Sequence, residues 1–400
     1  MKAFKFSRSI LMILLSTAIL ASSCSKKKNE PETPVNPPTS QVEELDITSQ
    51  ATLTVNIENT GGKTAKEGSS SLVDNKLDTK FLIYSFAKTF YMQMEFPTAK
   101  QIGSYTLTAG DDADDRDPQT WTLTASVDGS TWVELNAQAY EFFPTRTQTK
   151  RYDFINPKAY KFYRLNVTDI RGGSLFQLTE WRLIQMPDSK QRTFPISSVE
   201  TIVEGKNTLT FVNKTGDLNA TVKAGLLNVF KVNYQKMADV YNPAAKDKVI
   251  FVIEPGYKGV AATWGGSVIR YDPDWFRNNP KDLDVVTHEM MHVIQSYPPV
   301  ADAGWVTEGI ADYVRFTMGL TNAEANWSLP NFTSSQSYRD AYRVTARFFY
   351  WLEKHGYEGI VIKLDKSMRS GAYTTAAFWP ANTGKTVDQL WTDYSNNSAL

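Results

Sequence analysis

The sequence predicts a multidomain chain, with an N-terminal β-sandwich over residues 46–187 and an α+β domain over residues 197–400. Three observations predict it. The 400 residues exceed what one ordinary hydrophobic core serves. Up to about residue 187, short runs alternate apolar and polar residues between Gly, Asp, Asn and Pro, the period of half-buried strands. Beyond that point, helical spacings of three and four appear beside continuous apolar runs. Lys plus Arg number 43 and Asp plus Glu 43, so the net charge is +0, and nucleic acid or another polyanion is excluded as the main partner. A single Cys excludes a disulfide framework, and 3 His leave few candidates for a histidine-built site.

Residues 1–24 read as a lipoprotein signal. Lys2, Lys5 and Arg8 precede an apolar run from Ile10 to Leu20, too short to span a membrane, and then comes Ala21-Ser22-Ser23-Cys24. Small residues before the only cysteine resemble a bacterial lipoprotein processing site, which implies a lipid anchor on Cys24. Ordinary cleavage near Ala21 is the alternative. Residues 25–45 carry Lys26, Lys27 and Lys28 and then Pro31, Pro34, Pro37 and Pro38, and bury too little to fold, so they form a tether. The expected location is the bacterial cell envelope, lipid-anchored at the outer membrane, periplasmic or surface-exposed.

The strands of the first region follow in order. Thr52 to Ile57, Phe90 to Phe96, Trp121 to Val127, Tyr160 to Val167 and Leu178 to Ile184 each alternate. In the second, Phe90, Met92, Met94 and Phe96 share a face. Regular spacing without helical patterns points to a sandwich or jelly roll. Leu72 to Phe81, Asp117 to Leu123, Ser126 to Trp132 and Phe176 to Trp181 resemble, in order, the blocks of the discoidin, or coagulation-factor C-type, galactose-binding-like domains. That resemblance implies a ligand such as a glycan, lipid head group or protein. It also implies a structural calcium on Asp74, Asp78, Thr79 and Glu180, with Asn75 where a Gly is more usual. Asp111, Asp112, Asp114, Asp115 and Asp117 around Arg116 read as a solvated loop.

Residues 188–196 form a polar linker. In the second region Leu227, Phe230, Tyr234, Met237 and Tyr241 mark one face of a helix over 224–241, and Lys248 to Ile253 is a buried strand. Gly265-Gly266 joins Gly259 to Trp264 with Ser267 to Tyr271 as a hairpin. Asn279-Pro280 is expected to open the next helix, with Asp282 and Asp284 in its first turn. That helix carries His288-Glu289-Met290-Met291-His292. Residues four apart share a helical face, so both imidazoles reach one metal ion, while Glu289 reaches the water that the metal would activate. Sixteen positions past His292 stands Glu308, a third ligand that would complete a His2Glu zinc set. Asp312, one turn on, is placed to accept the outer N–H of a ligating His.

These motifs, together with Val344 to Phe349, Leu364 to Arg369 and Gly384 to Tyr394, are similar to the basic-secretory-protein family of zinc peptidases of plants and bacteria, within the glutamate-ligand zincins. The resemblance implies hydrolysis of peptide bonds in extracellular or envelope proteins, possible glycoproteins included, with zinc on His288, His292 and Glu308 and Glu289 moving the proton. It further implies a substrate strand on a sheet edge, for which Val260, Ala261, Ala262, Thr263 and Trp264 are candidates by their place before the helix. Tyr342 is the candidate oxyanion donor among Tyr297, Tyr313 and Tyr342. His355, just before Gly356, reads as a helix C-terminal cap. The alternative function is a surface carbohydrate-binding or adhesion protein with an inactive zincin scaffold.

Overall fold

The computed structural model describes residues 44–192, 198–264 and 266–400. The expected signal, Cys24, nearly all of the tether and residues 193–196 of the expected linker lie outside the described residues.

The alternating text becomes β1 (Leu45–Asp46), β2 (Thr52–Val55), β3 (Phe81–Ile83), β4 (Phe90–Lys100), β5 (Ile102–Thr108), β6 (Pro118–Ser126), β7 (Val133–Gln138), β8 (Thr149–Asp153), β9 (Tyr160–Ile170), β10 (Phe176–Leu178) and β11 (Glu180–Gln185). They form antiparallel sheets in the orders β1-β11-β5-β8 and β2-β4-β9-β6-β7, with β3 and β10 paired beside them. Phe90, Met92, Met94 and Phe96 of β4 are all buried, as their alternation requires, and meet Tyr105, Leu107, Trp181 and Leu183 of the other sheet in one shared core. This is a β-sandwich. The expected linker begins as an extension of it, because Asp188 accepts from Gln101 at 2.6 Å and the Gln191 side chain accepts from the Asn156 N–H at 2.9 Å.

The second region is built on a five-stranded sheet of β12 (Ser198–Glu204), β13 (Asn207–Asn213), β14 (Lys248–Ile253), β15 (Ala261–Trp264) and β16 (Val268–Tyr271), in the order β12-β13-β14-β16-β15. β13, β14 and β16 are parallel, and β15 is an antiparallel edge paired to β16 alone. The helices are α1 (Ala220–Tyr241), α2 (Pro273–Asn278), α3 (Val285–Gln295), α4 (Gly304–Met318), α5 (Tyr342–Lys354), α6 (Ile360–Arg369), α7 (Thr375–Thr383) and α8 (Val387–Asn396). α1 starts earlier than its apolar face announces, because the Asn219 side chain caps the N–H groups of Thr221 and Val222.

The sheet's two faces have different neighbours. Leu209, Phe211, Val249, Phe251, Ile253, Ile269 and Tyr271 share a core with the helices. The residues between them turn to the sandwich, where Val212 and Val252 pack with Ala139 and Tyr140. Around this contact Glu141 pairs with Lys214 and, at 2.8 Å, with Lys150, and Glu254 pairs with Arg270. The sandwich and the sheet therefore belong to one compact unit.

One expectation fails here. Asn279-Pro280 opens no helix: Pro273 opens α2, Asn279 closes it, and α3 begins only at Val285. Asp282 and Asp284 thus precede the helix. Asp282 pairs with Arg315 and accepts from the Trp275 indole at 3.1 Å, and Asp284 accepts from the Thr287 hydroxyl at 2.8 Å.

Candidate metal centre

α3 is buried nearly all round, with His292 alone of its 11 residues half-exposed toward the cleft. The four-residue spacing brings His288 Nε2 to 3.1 Å from His292 Nε2. α4 supplies the third group, with Glu308 Oε2 at 3.2 Å from His288 Nε2 and 3.4 Å from His292 Nε2. The next residue, Gly309, lets α4 pack closely on α5, since a Cβ there would stand 2.3 Å from the Thr345 methyl of α5. Among the described residues these three form the one cluster of His, Cys, Asp and Glu side chains with metal-ligand spacing.

The outer nitrogens are also held. His288 Nδ1 lies 2.7 Å from Asp312 Oδ1, as its place on α4 predicts, and His292 Nδ1 lies 2.8 Å from Gln295 Oε1. Gln295 was not legible as a site residue. Its amide in turn donates to the Thr307 carbonyl at 2.9 Å, tying α3 to α4. Both contacts leave the Nε2 lone pairs aimed at the shared point.

The electrostatics demand positive charge there. Burial opposes a proton on His288, but the Asp312 and Glu308 carboxylates prevail and push its pKa up to about 10. Burial likewise opposes ionisation of Glu308, yet the two imidazoles hold its carboxyl well below the usual range. A cation occupying the same point displaces that proton. The donor set fits zinc: bonds of about 2.0–2.1 Å in a tetrahedron place neighbouring donors about 3.3 Å apart, close to the separations here.

Glu289 projects from α3 beside the triad and accepts from the Thr263 hydroxyl of β15 at 2.8 Å. Val260, Ala261, Ala262, Thr263, Glu289 and Tyr342 line a cleft of about 1070 Å³ that contains the triad. Trp264, expected with the substrate strand, does not line it. The pleat turns its indole to the opposite face, 5.2 Å from the Phe142 ring of the sandwich.

Residues 191–394 match the BSP family, described as peptidases of plants and bacteria. The chain belongs to that family. A curated relative of this BSP-family chain is the peptide-N(4)-(N-acetyl-beta-glucosaminyl)asparagine amidase of Arabidopsis thaliana, 38% identical over 96 residues, which are 23% of this chain. The match spans 13% of that enzyme's length. Among solved structures, a family 32 carbohydrate-binding module from Clostridium perfringens NanJ, in complex with galactose, is 14% identical and aligns with 36% of this chain and 100% of its own at a TM-score of 0.30. An F5/8 type C domain from Bacteroides fragilis is 12% identical, covering 36% of this chain and 97% of its own, at 0.31.

Of the tyrosines weighed for the BSP site, Tyr342 alone faces the triad. Its ring lies nearly parallel to His288, centroids 6.1 Å apart, and the Glu308 charge, then burial, raises its pKa, so it stays a hydrogen-bond donor. Tyr297 lines the cleft but gives its hydroxyl to Asp365 at 2.8 Å, and Tyr313 packs on Tyr350. His355 ends α5, accepting no role in the cleft: it stacks on Trp351 with centroids 4.3 Å apart.

In the sandwich, the candidate calcium residues gather in part. The Thr79 hydroxyl lies 2.9 Å from Asp74 Oδ2, and the Lys76 N–H donates to both Asp74 and Glu180 at 3.0 Å. Asp78 is exposed and does not join them. Asn75 takes the left-handed conformation, φ 63°, that explains the more usual glycine. The aspartate-rich loop is answered by cations: Lys80 meets Asp111 at 2.8 Å and Asp112 at 2.7 Å, and Arg146 meets Asp117 at 2.5 Å.

Proposed function

We propose that this chain is a zinc-dependent peptidase that hydrolyses peptide bonds of extracellular or envelope proteins. The observation that carries it is the convergence of His288, His292 and Glu308 within 3.4 Å, with Glu289 alongside in the same cleft. Zinc, when bound, supplies Lewis acidity that acidifies water and polarises a scissile carbonyl. Glu289 takes a proton from water and passes it to the departing amine, and the Thr263 hydroxyl keeps its carboxylate turned into the cleft. The Tyr342 hydroxyl donates to the oxyanion that develops on the carbonyl. The open edge of β15, over Val260 to Thr263, takes the substrate as an added strand.

The Glu289→Gln variant tests this reading, because it keeps the ligands and removes the proton carrier. Both proteins should hold about one zinc per chain, while the variant's kcat on a peptide library falls by at least about 100-fold. Equal digestion by the two would end the proposal, as would a purified chain that takes up no zinc. N-glycopeptides belong in the same library, given the amidase relative.

The family match and the site speak to the second region. For the sandwich we propose a glycan or another surface ligand, tested by a glycan array on the full chain, and calcium on Asp74, Thr79 and Glu180. We also propose that a lipid on Cys24 holds the chain at the bacterial envelope; Cys24→Ser should then release it from the membrane fraction.

A further inference from the structure

The cleft's edge strand has a second support outside its own region. Segment 139–143, which follows β7, stays bound to the sandwich, with the Glu141 N–H donating to the Gln119 carbonyl at 2.8 Å and Phe143 buried in the sandwich core, while Ala139, Tyr140 and the Glu141 side chain meet the outer face of the five-stranded sheet. Glu141 is buried there between Lys214 and Lys150 and accepts from the Tyr152 hydroxyl at 3.2 Å. The Tyr140 carbonyl accepts from Arg270 of β16 at 3.0 Å. With the Phe143 carbonyl accepting from Arg146 at 3.0 Å, these bonds fix the backbone on either side of Phe142.

The half-buried Phe142 ring is contacted from both regions, and it covers part of a Trp264 side chain that is still 42% exposed. Arg171 of the sandwich lies 4.3 Å from its centroid, Arg270 5.1 Å, and the Trp264 indole 5.2 Å at 45°. Trp264 is the last residue of β15 and the direct neighbour of Thr263, whose hydroxyl binds the Glu289 carboxylate at 2.8 Å and the Glu289 carbonyl at 3.0 Å. Neighbours on a strand point to opposite faces, so fixing the indole on the sandwich side fixes the hydroxyl on the helix side. β15 needs such an anchor. It has 4 residues, and only β16 pairs with it.

We infer that Phe142 is a positioning residue of the cleft: by holding Trp264 it sets the place of β15, and with it Thr263 against Glu289. The sandwich is thereby a working part of the cleft and not an appended module. The kinetic part of this inference rests on the peptidase reading; the structural part does not.

The test is Phe142→Ala in the full chain, followed by hydrogen exchange and by kcat and KM on a peptide substrate. Amides of Ala261 to Trp264 should exchange about threefold to tenfold faster, the worth of one aromatic contact, while those of α1 stay unchanged. KM should rise and kcat fall, each by a similar factor, because β15 both grips substrate and, through Thr263, orients the Glu289 carboxylate. Phe142→Tyr should restore both. Unchanged exchange in β15 overturns the inference, and so does faster exchange throughout α1, which would mark general loosening. If β15 loosens as expected but the wild type cleaves no peptide, the positioning role stands and the peptidase reading falls.

Discussion

The two faces of the five-stranded sheet are held by different forces. Toward the helices, seven apolar side chains from Leu209 to Tyr271 are buried in a shared core. That contact gains free energy in proportion to area and has little preferred direction. Toward the sandwich, Val212 and Val252 are flanked by Lys214, Glu254 and Arg270, all answered by Glu141, Lys150 or the Tyr140 carbonyl. Buried ion pairs return little net stability, since desolvation offsets their attraction, but they are costly to break and tolerate few arrangements. One face thus supplies adhesion, and the other supplies alignment.

The largest effect should come from the first face. Phe251→Ala ought to cost about 3–5 kcal/mol in urea unfolding, and a loss below about 1 kcal/mol would break the comparison. On the second face, Glu141→Ala should cost about 3 kcal/mol by stranding Lys214 and Lys150. Adding Lys214→Met should recover at least about 1 kcal/mol of that; strictly additive losses would mean that the charges do not act as a unit.

A smaller effect separates two buried glutamates by pH. Burial disfavours the charge on Glu141, but Lys214 and Lys150 overcome it and hold its pKa below 4.5, so its contribution to stability is present above that pH and is lost on acidification. Burial dominates at Glu180 and raises it from 4.5 to about 7, against the pull of Arg182. With calcium removed by a chelator, a folded state that keeps this proton longer loses stability as pH rises from 4.5 to about 7, and Glu180→Gln should flatten that part of a Tm-versus-pH curve. The smallest effect is a control: Lys161 meets Glu95 at 2.9 Å on the exposed side of the sandwich, and Lys161→Ala should cost under about 0.5 kcal/mol. The contrast with Glu141 then isolates burial from geometry.

Much of this was legible in the sequence. Strand β4 could be read because one of its faces is apolar and the other polar. β5 could not, since Gly103 and Ser104 are buried beside Ile102 and Tyr105 and no alternation survives. The two histidines and Glu289 were legible because local helical spacing alone places them. Gln295 looks like any polar residue near a helix end, and the bond from Thr263 to Glu289 joins positions 26 apart, which no local pattern announces. Asp282 and Asp284 misled because acids after Asn-Pro imitate a helix start, whereas they serve Arg315 and Thr287. Glu141, Lys150, Lys214, Glu254 and Arg270 read singly as solvated surface, and only the docked fold makes them neighbours.

The sheet has two free rims. β12 presents Glu200 and Glu204 along an exposed rim, so a stranger's strand meets repulsion or hydration there. β15 and the residue before it offer uncharged Val260, Ala261 and Ala262 to the cleft, and on the peptidase reading what this edge would recognise is a bare row of main-chain amides. A helix or a finished hairpin has none to spare. Any protein cut here would first have to lend a frayed end or an uncoiled loop, so the choice of victim would follow how loosely a polypeptide is folded more than which residues it displays.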